Sequence, residues 1–372
     1  MYAEHAVLFA HLAEAYPAEG YEDDALHSVE RATRHAAHTQ RGAALFGGLT
    51  GVSWAIELLH GRLFEADGDP NAAVDTLLIR MLARSPWTAP YDLISGLVGI
   101  GVYALERLPR DSAATILARV VARLEETAES RDGGVTWRTR REWRPHRNAE
   151  GPDDDPGYDL GVAHGVPGSS RCSARSVPPG SKCLARALLD GAVAWTLAQR
   201  LPSGSESVFP YVTRPGDRGQ AARLAWCYGD VGIAVALGSA AHAVHQPTWI
   251  CEALAIADHG ASRLNGNHEV RDAGICHGAA GLGHLYNRLF QATGRAVFRT
   301  TARAWFERAL AMRRPDAGIA GYLSFNAGTN SWDADSSFLT GVNGIALALL
   351  AAATPCAPAW DARILATLPV GA

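Results

Sequence analysis

Apolar positions fall into two kinds of run that alternate along the chain. In Asn71–Arg84, residues Val74, Leu77, Leu78, Met81 and Leu82 recur three and four residues apart, which predicts an α-helix with one buried face. Ser112–Ser130 repeats the pattern with Ile116, Leu117, Val120, Val121 and Leu124, and Asp111 or Ser112 is placed to cap its start. Leu184–Arg200 and Ala296–Arg313 follow suit. The second kind, such as Ile233–Ala243 and Ile345–Ala353, is apolar almost all round, as in a helix buried on every side.

A short signature opens the second kind. G-x-x-G occurs at Gly48–Gly51, Gly96–Gly99, Gly165–Gly168, Gly229–Gly232, Gly278–Gly281 and Gly341–Gly344, and in five of the six an apolar run follows. The copies stand about 50 to 70 residues apart, the period of a repeat architecture. One polar-faced and one fully apolar helix per repeat fit two concentric helical layers. The expectation is therefore all-α: an α/α toroid, a double-layered barrel of about six to seven helical hairpins. Glycines at the inner helix starts allow close backbone approach around a crowded rim. An α-solenoid satisfies the same periodicity. Strand signals are sparse, with Gly134–Arg147 reading as a short hairpin or an irregular loop.

Composition narrows the function classes. The chain has 372 residues, 48% hydrophobic, and a formal net charge of −4, which argues against an electrostatic footprint for nucleic acid. Its N-terminal stretch lacks a basic region and no apolar run reaches about 18 residues, so neither a signal peptide nor membrane insertion is expected. Six cysteines in such a length suit cytoplasmic thiols or a metal better than a disulfide scaffold. One domain over residues 1–372 is expected, with recognisable repeats over about 47–350.

Four repeat openings carry reactive side chains beside the first glycine: Asp92, His164, Cys227, and the pair Cys276–His277. In a toroid such positions converge on one rim. Two thiols and an imidazole are ligands that zinc favours, and three protein ligands leave a fourth position for water or substrate. Without convergence, each cysteine is a small buried hydrophobe. Asp92 alone suits a helix N-cap and His164 alone a helix-start hydrogen bond; together they form a carboxylate–imidazole pair suited to proton transfer. His27, His242 and His284 occupy no equivalent position and read as surface or packing residues. A toroid glycosidase would need a second carboxylate at an equivalent position, and none is evident.

Five stretches carry a family resemblance: Tyr91–Gly101 (YDLISGLVGIG), Asp159–Gly168 (DLGVAHGVPG), Arg223–Asp230 (RLAWCYGD), Ile275–Leu285 (ICHGAAGLGHL) and Ser337–Leu349 (SFLTGVNGIALAL). With them, from about Gly47 to Leu350, the chain resembles the lanthionine synthetase C-like family. The resemblance implies an α/α toroid with one zinc held by Cys227, Cys276 and His277. It places an acid/base histidine at His164, its aspartate at Asp92, and supporting residues at Arg223 and Tyr228. It implies a stand-alone cyclase that adds peptide cysteine thiolates to dehydroalanine or dehydrobutyrine, forming thioether rings. The partners implied are a dehydrated precursor peptide, a separate dehydratase and an export transporter, with the protein a cytoplasmic monomer. The alternative is a non-catalytic relative that holds a small thiol such as glutathione at zinc.

Ser169–Cys183 (SSRCSARSVPPGSKC) departs from its surroundings. It follows the His164 copy where an apolar run is expected, and it holds Lys182, the only lysine of the chain. Pro178–Pro179 breaks a helix there. The segment reads as a loop near the substrate or, given its intact flanks, as a local reading-frame discrepancy. Apolar periodicity resumes at Leu184, and Cys172 and Cys183 are expected as exposed thiols rather than ligands.

Overall fold

The computed structural model describes residues 1–39, 42–143, 157–169, 179–266 and 268–371. Helices α1 (Tyr2–Ala15), α3 (Leu49–Leu59), α5 (Leu97–Glu106), α7 (Val166–Ser169), α9 (Asp230–Val244), α11 (Ala279–Thr293) and α13 (Val342–Ala353) form the inner layer. The outer layer is α2 (Tyr21–His38), α4 (Ala72–Leu82), α6 (Asp111–Thr127), α8 (Pro179–Ala198), α10 (Pro247–Ser262) and α12 (Ala296–Ala311). Each inner helix but α13 packs on the outer helix that follows it. The inner helices also touch in succession, α1 on α3, α3 on α5, α7 on α9, α9 on α11 and α11 on α13; the outer helices α6 and α8 bridge the step from α5 to α7, and α13 closes on α1. Closure makes this the expected α/α toroid and excludes an open solenoid.

The two layers have the burial their sequences foretell. Every residue of α9 from Asp230 to Ala241 is buried, as is α5 from Leu97 to Ala104. In α6 only a stripe that includes Ile116, Leu117, Val120, Val121 and Leu124 is buried. A fully buried Leu or Ile contributes about 1.5–3 kcal/mol, so the inner ring dominates the core.

The repeat signature marks one recurring turn. The second glycine of each copy meets the carbonyl oxygen six residues earlier: Gly51 that of Leu45, Gly99 of Leu93, Gly168 of Val162, Gly232 of Trp226, Gly281 of Ile275 and Gly344 of Phe338. A Cβ there would collide with backbone, so the folded-back turn demands glycine. Adjacent turns then bond to one another through the residue two before the first glycine. The N–H of Phe46 donates to Ile94 (3.1 Å), Ala163 to Cys227 (3.4 Å), Cys227 to Cys276 (3.1 Å) and Cys276 to Leu339 (2.8 Å). Residues far apart in sequence thus become neighbours on the rim.

The structure departs from the pattern-based reading in several places. The α1/α2 hairpin is a further pair with no G-x-x-G to announce it. Neither Asp111 nor Ser112 caps α6, whose N-cap is Arg110; Ser112 instead donates to Asp75 at 2.5 Å. That carboxylate belongs to a cluster that runs from the interior to the surface, in which Arg107, fully buried, donates to half-buried Glu57 (2.7 Å), exposed Asp69 (2.6 Å) and buried Asp75 (2.5 Å). The hairpin expected in Gly134–Arg147 begins earlier, as β1 (Glu129–Arg131) paired antiparallel with β2 (Gly134–Thr136). Two further antiparallel pairs join β3 (Tyr158–Asp159) to β4 (Val212–Thr213) and β5 (Ser324–Asn326) to β6 (Ser331–Asp333). Helix α8 starts at Pro179 rather than Leu184, because a proline at a helix start loses no hydrogen bond. Cys183 is exposed on α8 as expected; Cys172 and the rest of 170–178 lie outside the described residues, and α7 spans only Val166–Ser169. No helix among the described residues is long and apolar enough to cross a membrane.

Candidate metal centre and active site

Cys227 and Cys276 hold the same place in consecutive turns, two before the first glycine, and the hydrogen bond from Cys227 N–H to Cys276 carbonyl joins them. His277 is the next residue. One ligand atom from each of Cys227, Cys276 and His277 lies within 4.8 Å of the other two. Cys227 is buried and the other two are half-buried, so the cluster reaches the rim surface. Two soft thiols and an imidazole at that separation fit a zinc ion, and a triad of ligands leaves a coordination position open.

The electrostatics favour thiolate. The hydrogen bond from the Cys276 thiol pulls Cys227 well below the ordinary thiol range against the cost of burial, with His277 and Arg223 helping. Cys276, the donor in that bond and buried beside the resulting charge, is pushed up in turn. Arg223 stands beside both sulfurs; burial disfavours its charge, but Cys227, Tyr211 and Cys276 outweigh that. Its guanidinium lies 5.8 Å from the centroid of the Tyr211 ring.

His164 comes from the turn next to that of Cys227. Its Nδ1–H donates to Asp92 Oδ2 at 2.6 Å. Asp92 is not the N-cap of α5, a place taken by Gly96; its Oδ1 instead accepts Ser95 N–H at 2.7 Å and Ser95 Oγ–H at 3.0 Å in the turn that precedes the helix. One carboxylate therefore closes a turn and orients a histidine. Burial opposes the charged imidazole, but the Asp92 hydrogen bond and charge, with Asp159 and Cys227, raise His164 above its usual value. The ring stays 34% exposed, within reach of a solute.

Tyr228 follows Cys227 and lies against the His164 ring, centroids 6.5 Å apart and 29° from parallel. Its hydroxyl donates to Asp159 Oδ1 at 3.1 Å. All seven residues singled out in the sequence, Asp92, His164, Arg223, Cys227, Tyr228, Cys276 and His277, thus gather around one stretch of rim. His284 is fully buried against Asp361 at 3.3 Å and serves packing.

Three residues of the site went unassigned in the sequence. Asp159, fully buried, holds Tyr228. Tyr211 packs on both Arg223 and Tyr228. Asp272 places Oδ2 3.9 Å from His277 Nε2. Asp159 lay within a quoted motif and Asp272 six residues before a signature glycine; Tyr211, immediately before β4, carried no signal.

Comparison with known proteins agrees with this fold. A solved structure described as "Nisin cyclase" superposes with a TM-score of 0.72 at 15% identity, covering 97% of this chain and 89% of that one. At that identity the likeness is one of fold. The family model for lanthionine synthetase C-like proteins matches residues 5–365, and with nearly its whole length matched the chain belongs to that family.

Proposed function

We propose that this chain is a single-domain, zinc-dependent cyclase that closes thioether rings in a dehydrated precursor peptide. The observation that carries the reading is the ligand triad Cys227, Cys276 and His277, all within 4.8 Å, in the turns adjoining the His164–Asp92 pair. The activity named for the nisin cyclase structure is brought to this chain as part of the same proposal.

Cys227, Cys276 and His277 would hold zinc, which supplies a site where a peptide thiol ionises at neutral pH. The peptide sulfur adds to the β-carbon of dehydroalanine or dehydrobutyrine: an S–Cβ bond forms, the Cα=Cβ π bond breaks, and the electron pair moves onto Cα and its carbonyl. The thiol proton leaves to solvent, and Cα must gain one. His164 is the donor in this scheme. Its Nδ1–H is committed to Asp92, so Nε2 is the nitrogen that gives the proton, and the upward shift caused by Asp92 favours the charged, proton-donating form. Arg223 favours negative sulfur, and Tyr228, fixed by Asp159, backs the imidazole. The peptide arrives already dehydrated by a separate dehydratase and leaves to an export transporter; the protein acts as a cytoplasmic monomer and engages no nucleic acid.

The test is alkylation of a synthetic peptide, carrying one cysteine and one dehydroalanine, after incubation with zinc-loaded protein. Mass does not change on cyclisation, but each ring removes one alkylatable thiol. Loss of the thiol with wild type, and retention of it with His164→Ala at full zinc content, supports the reading. Thiol loss at only the spontaneous rate with folded, zinc-loaded wild type overturns it.

A further inference from the structure

A cavity of about 220 Å³ opens at the same end of the barrel as the ligand triad, and the scheme above leaves it unused. Arg271, Asp272, Met312, Arg314, Tyr322 and Trp332 are among its walls. Asp272, buried, is shared with the metal centre. Its Oδ1 accepts Gly274 N–H at 3.1 Å, its Oδ2 accepts Phe325 N–H at 3.0 Å, and the same Oδ2 lies 3.9 Å from His277 Nε2. A group seated in this cavity is therefore one side chain away from the triad.

The polar character of the cavity is uneven. Arg271 and Arg314 are exposed, and among the described residues neither is paired with a carboxylate. Arg271 is nonetheless fixed in place, its guanidinium 4.6 Å from the centroid of Phe325. Phe325 packs edge-on against Trp332 across the β5–β6 pair at 5.2 Å, and Trp332 is 50% exposed. In a chain of net charge −4, two unpaired arginines on one cavity are a local reversal of sign. The opposing charge of Asp272 is already met by two backbone N–H groups.

We propose that this cavity is a subsite for a carboxylate-bearing residue of the peptide substrate, adjacent to the cysteine held at the triad. The proposal rests on the cyclase reading. Planar guanidinium groups match a carboxylate with paired hydrogen bonds. The volume falls below the roughly 300–1,000 Å³ of sites for drug-sized ligands, and suits a single side chain on a longer chain. Trp332 offers an apolar wall for the neighbouring residue. The Asp272 carboxylate on the floor repels a doubly charged phosphate more than a singly charged carboxylate.

The experiment is calorimetric titration of zinc-loaded full-length protein with two blocked peptides, acetyl-Gly-Cys-Glu-Glu-Gly-amide and its Gln-Gln counterpart. Exposed charge-assisted pairs are discounted by solvent, so a preference of about tenfold for the Glu peptide is expected. The Arg271→Gln/Arg314→Gln double variant removes that preference, leaves the Gln peptide unchanged and keeps its zinc. Arg271→Lys/Arg314→Lys retains part of it. Equal affinity of the two peptides for wild type, an undiminished preference in the double variant, or no binding of either peptide overturns the proposal. So does displacement of the Glu peptide by inorganic phosphate more readily than by acetate. Failure of the cyclase reading shows separately: a Ser-for-Cys peptide then binds as well as the Cys peptide, whatever the Glu preference.

Discussion

Alanine at Gly281 and alanine at Gly238 are the same chemical change in two neighbouring inner helices, and they should move stability in opposite directions. At Gly281 a Cβ would overlap the Ile275 carbonyl oxygen, with the carbonyl carbon at 2.7 Å and Cα at 2.9 Å. All three are backbone atoms, so relief requires moving the turn. At Gly238 the nearest atoms are Leu368 Cδ2 at 3.5 Å and Ala253 Cβ at 3.7 Å, which is ordinary contact. Replacing an interior helical glycine by alanine gains about 1 kcal/mol in helix propensity. Overpacking costs about 1–3 kcal/mol and more where backbone must shift. Gly238→Ala should then gain up to about 1 kcal/mol, and Gly281→Ala should lose about 1–2 kcal/mol net. Urea unfolding followed by far-UV circular dichroism resolves both. The displaced turn in Gly281→Ala is Ile275–Cys276–His277, so that variant should also release zinc to a chelator more readily than wild type, while Gly238→Ala does not. Stabilisation by both substitutions, or equal loss by both, would refute the explanation of the repeat signature given above.

Other expectations follow from single contacts. Asp92→Asn removes the partner that raises His164, so the high-pH limb of the cyclisation rate should move to lower pH while zinc content holds. The matching stability contribution has the sign of a raised histidine: it is fully present below the unfolded pKa and lost as pH rises through the folded one. Arg107→Met strands the buried carboxylate of Asp75 and removes the partner of half-buried Glu57 and exposed Asp69, and should cost about 3–5 kcal/mol in urea unfolding. The Arg107 hydrogen bond also holds Asp69 below the usual carboxylate range, so wild type loses this contribution as pH falls through that lowered value, whereas the variant has none to lose.

The two helical layers were legible because burial on all sides and burial on one side write different patterns, as α9 and α6 illustrate. The convergence of Cys227, Cys276 and His277 was legible because equal offsets from a repeated glycine become equal places on a closed rim. Helix α1 was not, since Tyr2–Ala15 packs into the inner ring without the folded-back turn that demands glycine. Capping of α6 was misjudged because Ser112 finds a stronger partner in Asp75, a residue brought near only by the packing of α4 on α6. Asp272 and Tyr211 act through neighbours supplied by the fold, Asp272 through Phe325 and His277, Tyr211 through Arg223 and Tyr228. No local sequence pattern encodes such contacts.

The central claim is that one zinc sits on Cys227, Cys276 and His277. Elemental analysis of purified wild type beside Cys276→Ala tests it most directly. About one zinc per chain in wild type, with loss in the folded variant, is the predicted result. Folded wild type without zinc after reconstitution, or a variant that keeps its full complement, would contradict it.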